Sequence, residues 1–481
     1  MSLVGPEPVS TSPLRRVAYD IATERRADSP YPPGDVGPSL RRSHRMIADA
    51  LGLLLDAYER HGPVFSLRLF HARHVFMLGP EANHFVLVSH ADHFRWRDGA
   101  FGDLIPLLGD GMLTIDGDFH RRSRRIMLPA FHRERIAAAH GAMAAEVERA
   151  VAPWHEGARV DLYRWARELA LRVALRALFG FDPDRRPPGL DPTAEFERAL
   201  GFYGREYVLQ LLRGPRTPFA EMMTARRRLD ALLYDEIARR RRSGERGEDL
   251  LSLLLDARDE DGAALSEAHV RDHLMTMLFA GHDTTTATVS FFFYELARSP
   301  EWDARLAAER AALGREPTAA DLVAGGDGPL PQLEQAIEET LRLYPPAWIG
   351  PRRATRAFAF DGHSIPRGAL VNYSSWASHR LPDVWEAPQA FRPERFGPEE
   401  RKRIPRGAYV PFGGGSRICL GMRFGQLEIR TIAARVLRDF RLELAPGFRL
   451  QVRQTPTLGP RAGLPLVVNA REYHPLQRTG I

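Results

Sequence analysis

A mainly α-helical fold with small β-sheets near both ends, closed into one large compact domain, is what the sequence predicts. Three observations lead there. A helical pattern runs from Glu267 to Arg298, with Ser266 as its N-cap and Ser299-Pro300 as its stop. At ~1.5 Å per residue this is a rod of about 48 Å, long enough to cross a whole domain. Short apolar, β-branched runs at Val64–Leu69, Val75–Leu78 and Leu466–Asn469 read as strands, the last beginning just after Pro465. No linker, repeat or low-complexity tract divides the chain, so residues 31–475 are expected to fold as one unit. Residues 1–30, polar and proline-bearing, are expected to be a flexible N-terminal segment.

Composition narrows the function. The chain has 481 residues, is 44% hydrophobic and 27% charged, and carries a formal charge of +6, nearly all of its positive charge on arginine. That is ordinary globular material. No zinc-finger, P-loop or base-stacking motif accompanies the mild basicity, which argues against nucleic acid. No stretch approaches the ~18 continuous apolar residues of a membrane span, and the first forty residues lack a secretion signal's apolar core. A soluble, cytoplasmic protein without a transmembrane anchor is expected, and a single cysteine suits a reducing compartment.

That cysteine is the most informative residue. Cys419 lies in Phe412-Gly413-Gly414-Gly415-Ser416-Arg417-Ile418-Cys419-Leu420-Gly421. One thiol cannot form an internal disulfide, but it can be one strong axial metal ligand. Glycines permit the tight turn that directs backbone N–H groups at a sulfur. Arg417 supplies a fixed charge suited to a bound anion. The spacing of Phe412, Gly415, Arg417, Cys419 and Gly421 resembles the haem-binding signature of the cytochrome P450 family. The resemblance implies that family's fold, with the long helix crossing the haem. It implies haem b ligated by Cys419, with Phe412, Gly413, Arg417 and Gly421 around it.

Other segments extend the resemblance to most of the chain. The centre of the long helix, Ala280-Gly281-His282-Asp283-Thr284-Thr285-Thr286, is poor in helix formers, an inconsistency expected at functional sites. It is similar to the family's oxygen-side motif. That likeness implies Ala280 beside the haem, Thr284 as the alcohol facing oxygen and Asp283 as the acid gating protons; His282 fills a variable position. Glu339 and Arg342 share a face of a helix predicted over Pro331–Leu343, which Pro345-Pro346 stops. With Arg395 of Pro393-Glu394-Arg395-Phe396 they resemble the family's structural charge network. His120 and Arg124, one turn apart, match its propionate clamp, and Arg352, favoured over Arg353 by spacing, would be a further clamp.

Apolar residues between the motifs, Phe101, Leu104, Leu108, Trp348, Ile349 and Leu458, are candidates for the substrate pocket. His269 and His273 have the spacing of a helical metal pair but read as surface histidines. The implied activity is monooxygenation, hydroxylation or epoxidation, of a hydrophobic fatty acid, terpenoid, steroid or polyketide by O2. A separate ferredoxin or flavodoxin with its NAD(P)H reductase would supply two electrons, docking on Arg121, Arg125 and the Arg401-Lys402-Arg403 loop of a monomer. The alternatives are a peroxide-driven enzyme of the same family, against which Asp283 and Thr284 argue, and a non-catalytic haem-binding protein.

Overall fold

The predicted long helix organises the molecule. In the computed structural model, which describes residues 9–184, 190–258, 262 and 264–471, it spans Glu267–Arg298, and the Ser266 hydroxyl accepts the His269 N–H at 3.2 Å. Most side chains from Val270 to Leu296 are buried, as in a helix enclosed on every side. Four of its hydroxyls are satisfied locally. The hydroxyls of Thr284, Thr286, Thr288 and Ser290 donate to carbonyls one turn back at 2.6, 2.7, 2.9 and 2.7 Å. This back-bonding keeps a threonine-rich segment helical without a break.

Helices Leu162–Val173, Pro331–Leu343 and Met422–Asp439 pack against it. The last begins directly after Gly421, so the cysteine loop feeds into a buried helix. A six-stranded sheet runs in the order Gly34–Asp35, Val64–Leu69, Ala72–Met77, Leu370–Tyr373, Gly350–Ala354, Phe94–Arg95. A three-stranded sheet joins Phe440–Leu444, Pro465–Ala470 and Arg159–Asp161. The three predicted strands therefore form, while the pair from the middle of the chain is new. There Gly350 faces Tyr373, and a Cβ at 350 would lie 2.0 Å from the tyrosine ring, so only glycine fits.

Two expectations are corrected. Within the segment expected to be flexible, Pro13–Arg25 is a helix. Arg16, Asp20 and Glu24, at intervals of four, share one face and pair with Asp103, with Arg353 and His71, and with Arg68. Residues 1–8, and residues 472–475 of the expected domain, lie outside the described residues. His273 is not a surface histidine but fully buried, because the helix that carries it is enclosed. His269 packs its ring on Phe119 at 5.0 Å.

The helix Pro331–Leu343 meets the segment before the cysteine loop through buried charge. Arg342 donates to both Glu339 carboxylate oxygens, Nε at 2.7 Å and Nη2 at 2.8 Å. Its Nη1 reaches the His379 and Pro388 carbonyls at 2.8 and 2.9 Å, and Arg395 Nε lies 3.3 Å from Glu339. Two buried guanidiniums on one carboxylate are tolerable only while the acid is present. Glu339→Gln is expected to lower unfolding free energy by about 3–5 kcal/mol; urea unfolding checks this, and wild-type stability would contradict the role.

Candidate functional site

The cysteine loop is shaped by two glycines with positive φ, Gly413 at 70° and Gly415 at 59°. Gly415 also lies so close to Leu87 that a Cβ would approach its carbonyl to 2.2 Å. The Cys419 N–H donates to the Phe412 carbonyl at 2.9 Å and closes the loop. The thiol is surrounded by protein, and that burial pushes it above its usual range. The Gly421 N–H pointing at the sulfur and the Arg124 guanidinium act the other way, towards thiolate. Yet Cys419 is solvent-accessible. A thiol that is both deep and accessible faces an internal space.

The long helix has a matching face. In its buried middle, Ala280, Gly281 and Thr284 remain part-accessible while His282, Asp283 and Thr285 do not. A Cβ at Gly281 would meet nothing within 4 Å. One turn of one helix face is thus left uncovered, as a flat group lying against it requires. The helix after Cys419 packs on this region, where a Cβ on Gly425 would come 3.9 Å from the Thr285 hydroxyl.

Basic side chains converge beside the loop. A cavity of about 490 Å³ is lined by Trp96, His120, Arg352 and Arg417 among others. Arg352 is 2% exposed, and no carboxylate forms a salt bridge with it among the described residues. Its guanidinium lies 3.8 Å from the Trp96 ring centre, with Arg417 at 4.9 Å from the same ring. Burial lowers both to about 10, so both stay charged at neutral pH. Arg417 pairs with Asp116 at 2.6 Å. Asp116 also accepts the Arg97 N–H at 2.9 Å, tying the cysteine loop to the helix Gly117–Met127 that carries His120 and Arg124. Burial, then the Arg417 and Arg124 charges, push His120 down to about 3, so its ring is neutral. Arg353 is already satisfied, pairing with Asp20 and donating to the Asp98 and Gly368 carbonyls at 2.9 and 2.8 Å. Geometry thus favours Arg352 for an incoming anion. A soft thiol, a directed N–H and underused buried cations fit a thiolate-ligated group with acidic arms.

Asp283 and Thr284 are neighbours in sequence but not hydrogen-bonded to each other. The Thr284 hydroxyl donates to Ala280, whereas the Asp283 carboxylate accepts the Thr457 hydroxyl. Asp283 lies 3.4 Å from Arg167 and 3.6 Å from Arg453. Burial would raise this acid, but Arg453, Arg167, His282 and Thr457 outweigh it and hold the carboxyl below its usual range. Sequence reasoning missed Arg167, Arg453 and Trp96, and took Thr457 only as a pocket-lining residue, not as the partner of Asp283. It also missed Glu428, buried beside Thr285, whose hydroxyl donates to it at 3.4 Å; burial raises this acid well above its ordinary value. A single glutamate beside Leu427 and Ile429 in a helix that also carries Arg430 and Arg435 gave no distinct signal.

The pocket candidates divide. Leu108 and Leu458 have no accessible surface and sit inside separate core clusters, so they back a pocket wall rather than line it. Leu104 is similarly buried; Trp348 is held by its indole N–H to the Gln454 carbonyl at 2.6 Å. Phe101 and Ile349 are half-buried. The expected basic loop is largely neutralised: Arg401 pairs with Glu338, Lys402 with Glu399 at 2.7 Å and Arg403 with Glu400 at 2.9 Å.

The family model described as Cytochrome P450 matches residues 47–459. The chain belongs to the cytochrome P450 family. It is 34% identical over 406 residues to the cyclooctat-9-en-7-ol 5-monooxygenase of Streptomyces melanosporofaciens, covering 82% of this chain and 86% of that one. A putative cytochrome P450 139 of Mycobacterium tuberculosis is 31% identical over 435 residues, 88% of this chain and 98% of that one. The solved structure of retinoic acid bound cyanobacterial CYP120A1 matches with a TM-score of 0.81 at 30% identity, over 92% of this chain and 99% of that one.

The protein is thus a P450 monooxygenase whose cofactor is haem b, ligated by its one cysteine. When bound, haem supplies O2 binding and reductive activation, which the protein tunes through ligand, charge and burial. Family members act on hydrophobic substrates with redox partners. No described helix is long and apolar enough to cross a membrane. If Arg352 clamps an acidic arm, Arg352→Leu should lower haem retained through purification by about twofold or more, as loss of a charged hydrogen bond predicts. Arg353→Leu should keep haem but lose folding stability. Absorbance ratios and urea unfolding separate the two, and equal haem loss in both would contradict the assignment.

Proposed function

We propose that this P450 inserts one oxygen atom of O2 into a bulky, largely apolar, unsaturated molecule bearing one oxygen function, in the terpenoid range. The balance is substrate C–H plus O2, two electrons and two protons giving alcohol and water. Cys419 carries the reading, as the accessible deep thiol with a directed N–H and a nearby guanidinium. The substrate class is supported by what relatives are named for: one oxidises cyclooctat-9-en-7-ol, and one solved neighbour holds retinoic acid.

In this reading His120, Arg124, Arg352 and Arg417 hold the cofactor's acidic edge, directly or through the Asp116 tie. Thr284 holds a proton at Oγ1 on the accessible helix face. Asp283 relays protons from solvent towards Thr284 by rotating away from Arg167 and Arg453, which stay charged. The electron donor is a separate ferredoxin or flavodoxin with its NAD(P)H reductase, working in the cytoplasm on a monomeric enzyme. It docks near the cysteine loop, where Ile418 and Leu128 are exposed, using Arg125 and, beside its partner Asp118, Arg121 of the helix Gly117–Met127. The neutralised 401–403 loop contributes less.

The reduced, carbon monoxide-bound spectrum tests the ligand. Wild type should give the thiolate band and Cys419→Ala should lose it, since no other cysteine can substitute; a band retained in the variant would refute the assignment. Thr284→Ala should still bind haem and substrate but divert NAD(P)H electrons to hydrogen peroxide, coupling to product falling about tenfold or more. Product and peroxide assays with a supplied ferredoxin pair check this, and unchanged coupling would remove Thr284 from proton delivery.

A further inference from the structure

A second cavity, of about 220 Å³, lies beneath the N-terminal helix Pro13–Arg25, between the strand turn at Phe70-His71 and the segment 202–213. The family model matches from residue 47, so this wall lies outside the matched segment. The wall is attached unusually. None of its residues is buried, Leu14 and Tyr19 point outward at 72% and 56% exposure, and contact runs through the charged face of Arg16, Asp20 and Glu24. Asp20 also meets His71 at 2.9 Å, and the opposite nitrogen of His71 meets the Tyr207 hydroxyl at 3.2 Å, linking the helix to the far rim. These pairs are mostly shielded, the Arg353, Asp20, Glu24 and Arg68 side chains being 6%, 10%, 16% and 20% exposed, so charge rather than apolar burial fastens the helix.

The charges on this cavity do not cancel. Arg16, Arg213 and Arg352 line it, against Asp20 and Asp103. Asp103 pairs with Arg16, and Asp20 with Arg353 and His71. His74 is neutral, burial pushing it to about 4. Two lining guanidiniums are left without a salt-bridge carboxylate among the described residues. Arg352 also lines the cofactor-side cavity and belongs there. Arg213 remains. Its guanidinium lies 4.0 Å from the Phe219 ring centre, and its Nη1 donates to the Gln210 and Leu212 carbonyls at 2.6 and 3.0 Å. A planar cation steadied by an aromatic face and two carbonyls still offers its remaining N–H groups to a carboxylate. Phe70, stacked on Tyr207 at 4.5 Å, and Phe202 and Leu211 supply apolar surface beside it.

We propose that this cavity receives the carboxylate end of an elongated apolar ligand, with Arg213 as the anion anchor and the helix Pro13–Arg25 as a wall latched by charge. The proposal rests on the reading that the enzyme takes a hydrophobic substrate, and narrows it to amphiphiles with an acidic end. Isothermal titration calorimetry on the purified holoenzyme tests it with two acids, hexadecanoic and all-trans-retinoic, each beside its methyl ester. At least one acid should bind about tenfold tighter than its ester, the difference shrinking as ionic strength rises. Arg213→Gln should remove that preference and leave ester binding unchanged; Arg213 is exposed, so the variant should fold. Equal binding of acid and ester, a preference that survives Arg213→Gln, or no binding of either acid would overturn the anchor. The carbon monoxide spectrum of the same preparation reports separately on the haem-thiolate reading, because calorimetry does not depend on it.

Discussion

A helix enclosed on nearly every side must satisfy its polar groups and still leave one turn open. The helix Glu267–Arg298 does both with the same residues. The hydroxyls of Thr284, Thr286, Thr288 and Ser290 bond back to their own helix and need no outside partner, whereas Asp283 and Thr285 reach out to Thr457 and Glu428. Gly281 and Ala280 carry too little side chain to cover the face they share with Thr284. The neighbouring helices pack around this opening, and the helix after Cys419 crosses at Thr285. Thus the oxygen-side alcohol, the thiol loop and the cofactor space are positioned by one packing problem.

Buried charge is arranged by the same economy. Glu339 is held by two arginines and the Arg392 backbone N–H, so that region stays rigid. Around the cofactor the cations are instead left short of acids: among the described residues Arg352 has no carboxylate within salt-bridge reach, and Arg417 has only Asp116. A buried cation without a counter-ion is costly, and a bound dianionic edge would relieve that cost. Asp283 shows the opposite imbalance, one acid held by two guanidiniums and a hydroxyl. In that position it is a poor proton donor and cannot reach Thr284, so any role in proton delivery requires its side chain to turn.

Much of this was legible in the chain. The long helix, the helix Pro331–Leu343 and the three outer strands carry their own periodicity, caps and stops. The cysteine loop, Glu339 with Arg342, and His120 with Arg124 are local in sequence, so spacing alone brings each set together. What could not be read were pairings across long separations. Asp283 meets Arg167 and Thr457, Trp96 sits between Arg352 and Arg417, and Glu428 reaches Thr285; nothing within a few residues of any of these announces the partner. The strands Gly350–Ala354 and Leu370–Tyr373 were hidden for a related reason, since a charged Arg352-Arg353 pair does not look like a central strand. His273 shows how periodicity misleads: spacing gave its phase on the helix correctly, but only packing decides which phases see solvent.

The same strand explains why two adjacent arginines take different work. Side chains alternate across a strand, so Arg352 and Arg353 must face opposite sides of the sheet. Arg353 meets Asp20 of the N-terminal helix and the carbonyls at 98 and 368, and so fastens that helix to the sheet. Arg352 turns to Trp96 and borders both cavities. A one-residue slip in this strand's register would exchange them, leaving the helix without its latch and the cofactor edge without its cation. The register is held by Gly350, the one residue that can lie against the Tyr373 ring. A glycine with no chemistry of its own therefore decides which arginine serves the cofactor and which secures the wall of the second cavity.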